Sequence, residues 1–170
     1  MKKDCSIVLV VHDIRSCHNV GSLLRTSEGI GVKTVFFTGY TPYPSMPKDA
    51  RLPHIHQKLT AQIHKTALGA ENTQPWQHIS AVHDLLASLK GEGYTLVALE
   101  QSDRSTLLHT FEAPAKVALI LGREVEGLDS DILAKADVVV EIPMEGRKES
   151  FNVVQAAAMA LFQFRFHNMV

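Results

Sequence analysis

At 170 residues, with 45% hydrophobic and 21% charged residues, the chain has the length and mix of one globular domain that can bury a core without disulfides or metal. Net charge is −1, so it lacks the general basic surplus that often marks a nucleic-acid binder, and any attraction to a polyanion must come from a local patch. No apolar run approaches the roughly 18 residues of a membrane span, and Ile7–Val11 is too short for a signal-peptide core, so a cytoplasmic protein is expected.

Ile7–Val11 reads as the first strand. The segment "NVGSLLRTSEGIG" follows as a helix, with Asn19 as N-cap and Gly31 as stop. "KTVFFTG" is a second strand, and "GYTPYPSMPKDARLP", with four prolines, is a long irregular insertion of the functional kind. A polar helix is predicted over Ile55–Leu68, and the chain around Trp76 fits no single element. Val82–Lys90 and Ser130–Lys135 read as helices, while "YTLVALE", "KVALILG" and "DVVVEIP" read as strands. A last helix is predicted over Ser150–Phe164, apolar on nearly every side. This alternation predicts an α/β domain with a mainly parallel sheet and helices on both faces. Continuous β-branched runs such as Val138–Val140 suit strands covered on both faces.

Ligands of such sheets sit beyond the carboxyl ends of the strands. Chemistry is therefore expected in Asp13–Arg25, Gly39–Pro53, Glu100–Asp103, Gly122–Leu128 and Pro143–Asn152. "GREVEG" has the glycine spacing of a phosphate loop but lacks the Lys and Ser/Thr that must follow. There is no G-x-S-x-G elbow and no H-E-x-x-H, which disfavours a nucleotide-binding hydrolase. Cys5, Cys17, His12 and His18 match no zinc spacing. No metal is expected.

Three loop-to-helix segments stand out together: "HNVGSLLRTSEGIGV", "LILGREVEGLD" and "EIPMEGRKESFNVVQAAA". In that order they resemble the N-x-G-x-x-x-R, G-x-E-x-x-G-L and I-P-M…S-x-N-V motifs of the SpoU-type RNA ribose 2′-O-methyltransferases of the SPOUT superfamily. "KTALGAE" resembles another recurring segment of that family, and Phe151 stands where Leu or Met is common. The resemblance covers nearly the whole chain. It implies one SPOUT domain with a deep C-terminal trefoil knot, S-adenosylmethionine folded into the knot, and a homodimer through the terminal helices. The all-apolar last helix then has the sheet on one side and a partner copy on the other. A non-catalytic RNA-binding SPOUT module is the alternative.

Carried over by motif, the catalytic set is Arg25, Asn19, Glu124, Ser150 and Asn152. The cofactor set is Leu99, Gly122, Ile142, Met144, Ser150 and Phe151, with Gly122 letting the backbone approach the cofactor. Asn19 and Arg25 are six residues apart, nearly two helical turns, and are expected on roughly one face. A guanidinium stays protonated, so Arg25 is expected to grip a phosphate and to stabilise a developing alkoxide rather than to act as base. Asn152 and Gln155 also form an N-x-x-Q capping box. Arg15, Arg25, Lys48 and Arg51 are the expected RNA contacts, with Lys58 and Lys65 nearby; a solvated loop and helix face is the plain alternative. The partner is then tRNA or rRNA. The absence of an N-terminal substrate-binding domain tilts the expectation towards tRNA.

Overall fold

The computed structural model describes residues 5–167. The chain runs through β1 (Ser6–His12), α1 (Cys17–Ile30), β2 (Thr34–Thr38), α2 (Pro53–Ala67), the single turn α3 (Ala70–Thr73), β3 (Trp76–Ile79) and α4 (Val82–Gly91). It continues through β4 (Thr95–Leu99), β5 (Thr106–Leu107), β6 (Lys116–Leu121), α5 (Ser130–Lys135), β7 (Val138–Glu141) and α6 (Val153–Phe166). The seven strands form one sheet in the order β3-β2-β1-β6-β4-β7-β5, and every pairing is parallel.

Burial on both faces explains the unbroken apolar runs. On one face Ile7, Leu9 and Val11 pack with Val20, Leu23 and Leu24 of α1 and with Ala157, Ala160, Leu161 and Phe164 of α6. On the other, Val8 and Val10 share a cluster with Leu85, Leu86 and Leu89 of α4 and Ile132 of α5. The ambiguous segment at Trp76 is the edge strand β3, whose indole N–H donates to the Glu71 carbonyl at 3.0 Å. β5 is a two-residue edge strand with no apolar run to announce it. No helix among the described residues is long and apolar enough to cross a membrane.

Two helix starts differ from expectation. α1 begins earlier, because the Ser16 hydroxyl, not Asn19, caps it by accepting the Asn19 N–H at 3.2 Å. That leaves the Asn19 side chain unoccupied by the helix end. α6 begins at Val153, so Ser150 and Phe151 lie in the preceding loop, and Asn152 caps the helix by accepting from the Val154 N–H at 2.9 Å. The reciprocal bond of a full capping box, from Gln155 back to Asn152, does not occur among the described hydrogen bonds. Gly31, at φ 75°, does end α1 in the left-handed conformation expected of it.

The first motif's glycine has a packing reason. A Cβ on Gly21 would lie 2.2 Å from the Ile63 carbonyl oxygen and 2.3 Å from the Thr66 hydroxyl oxygen. α1 and α2 therefore cross with backbones in close approach, and the Thr66 hydroxyl donates to the His18 carbonyl at 2.8 Å. At the far end of α1, Arg165 of α6 donates to the carbonyls of Ile30, Gly31 and Cys5 at 3.1, 2.7 and 2.7 Å. A cation placed on those terminal carbonyls complements the helix dipole, and it ties the last helix to the first helix and strand.

Candidate active site

A cleft opens where β4, β6 and β7 end. Leu99, Gly122, Ile142, Met144, Ser150 and Phe151, the whole sequence-derived cofactor set, line it together with Glu124. Leu121, Val153 and Ala156 extend its apolar wall, and Glu100, Gln101, Arg123, Glu141 and Glu149 supply polar groups. An apolar wall faced by several polar groups suits a small organic ligand that carries both kinds of surface. The crevice rule for parallel sheets places it where it is found.

The loop between β6 and α5 shapes one lip. Arg123 and Gly127 exchange backbone hydrogen bonds at 3.2 and 3.1 Å, closing a tight turn. A Cβ on Gly122 would lie 2.7 Å from the Gly127 carbonyl carbon and from the Leu128 nitrogen. What approaches Gly122 closely is thus the loop's own backbone, where a bound cofactor was expected. Gly127 has φ 72°, and a Cβ there would lie 2.1 Å from a Glu100 carboxylate oxygen. That carboxylate accepts from the Leu128 and Gln101 N–H groups at 3.0 and 3.1 Å. Both glycines of G-x-E-x-x-G are required by local packing. Across the cleft, the Gln101 amide donates to the Glu149 carbonyl at 2.8 Å, joining the loops after β4 and β7.

The three motifs meet at the cleft mouth. The Asn19 side-chain amide donates to Glu124 Oε1 at 3.2 Å, and the Asn152 amide donates to Asn19 Oδ1 at 3.4 Å. Residues distant in sequence are thereby joined, and Ser150 lines the cleft beside them. Arg25 is not brought in. It is exposed on α1 and outside the cleft lining. Six residues turn a helix by about 240°, leaving Asn19 and Arg25 about 120° apart, so the expectation of one shared face does not hold.

The expected RNA contacts divide. Arg15 is exposed, with its guanidinium 5.4 Å from the Tyr40 ring centroid. Lys48 is exposed at φ 56°, and Lys58 and Lys65 are exposed on α2. Arg51 points inward. It donates through Nε and Nη2 to Asp49 at 2.9 and 2.5 Å and to the Tyr43 and Pro44 carbonyls at 3.0 Å each. Its guanidinium also lies 3.6 Å from the Tyr43 ring centroid, and these bonds hold the Asp49 carboxyl well below the usual range. Four of its five donors are used within the proline-rich loop, so Arg51 organises that loop, with little left for a phosphate.

Among the described residues, His12, Asp13 and Asp129 bring ligand-type atoms within 4.8 Å of one another. Each has a partner already: His12 bonds Thr38 at 2.9 Å, Asp13 accepts from the Tyr40 N–H at 2.9 Å, and Asp129 pairs with Arg123. Burial holds the His12 ring below the ordinary histidine range, against the opposing pull of Asp13. Neither cysteine joins the group.

Sequence reasoning named the segment Glu100–Asp103 but missed Glu100 itself and Gln101. Their only signal was their place immediately after Leu99, at a strand's carboxyl end. Tyr40 was missed because the turn-rich stretch around it masked one exposed ring.

The model of the SpoU rRNA Methylase family matches residues 6–162. The chain is 31% identical over 159 residues to the 23S rRNA (guanosine-2′-O-)-methyltransferase RlmB of Neisseria meningitidis serogroup B, covering 94% of this chain and 58% of the relative. It is 30% identical over 158 residues to the protein of the same name in Xylella fastidiosa, covering 93% and 57%. The chain thus spans under two thirds of the length of these curated relatives. Among solved structures, the AdoMet-bound rRNA methyltransferase of Sinorhizobium meliloti superposes with TM-score 0.82 at 20% identity, over 99% of this chain and 59% of the other. The A. aeolicus TrmH/SpoU tRNA modifying enzyme superposes with TM-score 0.76 at 20% identity, over 95% and 75%. These likenesses show a shared fold.

Proposed function

The chain belongs to the SpoU rRNA methylase family, and from that premise we propose that it transfers a methyl group from S-adenosylmethionine to a ribose 2′-oxygen of RNA. The observation that carries this reading is the Glu124–Asn19–Asn152 chain at the mouth of a cleft lined by the expected cofactor residues. Leu99, Ile142, Met144 and Phe151 offer apolar surface for an adenine. Glu124, Glu141 and Glu149 place carboxylates where a sulfonium would be favoured, and Ser150 and Arg123 offer donors to a carboxylate. When bound, the cofactor supplies a methyl already activated on sulfur, so the reaction calls for no metal. The chain's share is to orient the ribose through Asn19 and Asn152 and to hold phosphate through Arg25 and Lys48.

Calorimetry with a metal chelator present is expected to show S-adenosylmethionine binding to the folded protein. No binding would remove the cofactor assignment. The placement of Arg25 outside the cleft favours a second reading, an RNA-binding module without turnover, and a methyl-transfer assay separates the two. The tilt towards tRNA rested only on where the chain begins. Both RlmB relatives are named for 23S rRNA, so ribosomal RNA is the first substrate to test.

We also read the C-terminal segment as the threaded part of a trefoil knot. β7 inserts between β4 and β5, and α6 returns to pack on α1. The proposed dimer has support in α6. Its inner face is Ala157, Ala160, Leu161 and Phe164, yet Phe162 on the outer side is 60% exposed. Phe162, Met159 and Ala158 line an apolar groove with Leu108, Ile142 and Pro143. Such a face suits a second copy. Light scattering is expected to find a dimer, and Phe162→Asp is expected to split it. A parent protein that stays monomeric at micromolar concentration would refute the interface.

A further inference from the structure

Tyr40 is a large aromatic left open beside the cleft on a backbone that leaves it little freedom. It follows β2 and is 48% exposed. Its N–H donates to Asp13 Oδ1 at 2.9 Å. Asp13 is a non-glycine residue at φ 54°, and its neighbour in space, Gly39, is at φ 63°. A Cβ on Gly39 would fall 1.8 Å from that same carboxylate oxygen. Thr41, the next residue, is buried; its hydroxyl donates to the Val11 carbonyl at 3.0 Å and accepts the Ile14 N–H at 3.2 Å. Two left-handed residues and a pinned threonine therefore fix where the Tyr40 ring emerges. Left-handed backbone at a non-glycine residue persists only where surrounding contacts enforce it, and such positions concentrate at functional sites.

One cation stands beside the ring. The Arg15 guanidinium sits 5.4 Å from its centroid, within cation–π range. The Tyr40 N–H is held by Asp13, whose carboxylate lies within 4.8 Å of that of Asp129, and Asp129 pairs with Arg123 of the cleft lining. The Tyr40–Arg15 pair thus stands next to the loop that forms one lip of the cleft. An aromatic ring with an adjacent guanidinium is the surface on which an unpaired base stacks while its phosphate meets the cation.

We propose that Tyr40 and Arg15 form a stacking platform for an unpaired base of the RNA next to the methylated ribose. This rests on the reading that the chain acts on RNA, and it adds a specificity element outside the three motifs. An RNA target held by base pairing throughout would not reach the platform. The enzyme therefore selects a loop, bulge or opened end.

The test uses the full chain and a short single-stranded RNA carrying 2-aminopurine, whose fluorescence falls on stacking. The parent protein is expected to quench it. Tyr40→Phe and Tyr40→Trp keep the quench. Tyr40→Ala loses it and weakens RNA binding roughly 5- to 150-fold, with S-adenosylmethionine affinity by calorimetry unchanged. Arg15→Gln, an exposed change that leaves Tyr40 in place, is expected to weaken binding and to lower the salt slope by roughly 0.7. If Tyr40→Ala fails to fold, Arg15→Gln carries the test. Parent-like quench and RNA affinity in the folded Tyr40→Ala protein, or a parent-like salt slope in Arg15→Gln, overturns the platform. A parent protein that binds S-adenosylmethionine but no RNA overturns the RNA reading, and the platform with it.

Discussion

Arg25→Ala is expected to slow methyl transfer roughly 10²–10³-fold, the scale of losing one preorganised charge-stabilising donor. S-adenosylmethionine affinity and melting temperature should stay at the parent values. Arg25 is exposed on α1, and its side chain makes no hydrogen bond or ion pair among the described residues. The fold therefore makes no use of it, and surface changes of this kind usually shift stability by less than about 0.5 kcal/mol. Arg25→Lys keeps the charge but loses the planar fork that grips a phosphate with two bonds, so it is expected to recover only part of the rate. Single-turnover kinetics with saturating RNA checks both variants. A parent-like rate in Arg25→Ala would make this residue a solvated side chain and move the phosphate-holding role elsewhere.

Gly122→Ala is expected to weaken S-adenosylmethionine binding roughly 5- to 150-fold. The new Cβ would stand 2.7 Å from two backbone atoms of the Gly127–Leu128 peptide. Backbone cannot swing aside as a flexible side chain can. The turn closed by Arg123 and Gly127 must open, and forced overpacking of this kind costs about 1–3 kcal/mol. The damage falls on binding because the displaced turn is a lip of the cleft. Calorimetry checks it, with unfolding by urea as the control for global stability. Parent-like affinity in the variant would show that the turn relaxes without touching the cleft.

The sheet was legible because its physics is simple. β1, β4, β6 and β7 are covered on both faces, so their sequences are unbroken apolar runs with distinct ends. β3 and β5 sit at the sheet edges and are short, with exposed or half-buried residues, so hydrophobic pattern could not find them. The residues expected to hold a cofactor, drawn from the second and third motifs and from the end of β4, all line one cleft, whereas Arg25 of the first motif lies outside it. What the motifs did not reveal is why their glycines are there. Gly21 answers to the α1–α2 crossing and Gly122 to its own loop. Both are long-range facts with no signature in a single sequence.

Cap chemistry misled at the start of α1. Ser16 and Asn19 are both good N-caps, and the structure uses the serine, leaving the Asn19 amide free to reach Glu124. Charge misled at Arg51, because a basic residue near an insertion suggests a phosphate contact. Only the fold shows its donors spent on Asp49, Tyr43 and Pro44.

The proposed activity is ribose methylation of RNA with S-adenosylmethionine as donor. It is tested most directly by incubating the purified protein with methyl-labelled S-adenosylmethionine and ribosomal RNA from cells lacking the gene, then digesting the RNA to nucleosides. Label is expected in a 2′-O-methylnucleoside, with transfer unaffected by chelator and slowed roughly 10²–10³-fold in Arg25→Ala. Label in a base-methylated nucleoside, or no transfer to ribosomal or transfer RNA by folded protein that binds the cofactor, would contradict it.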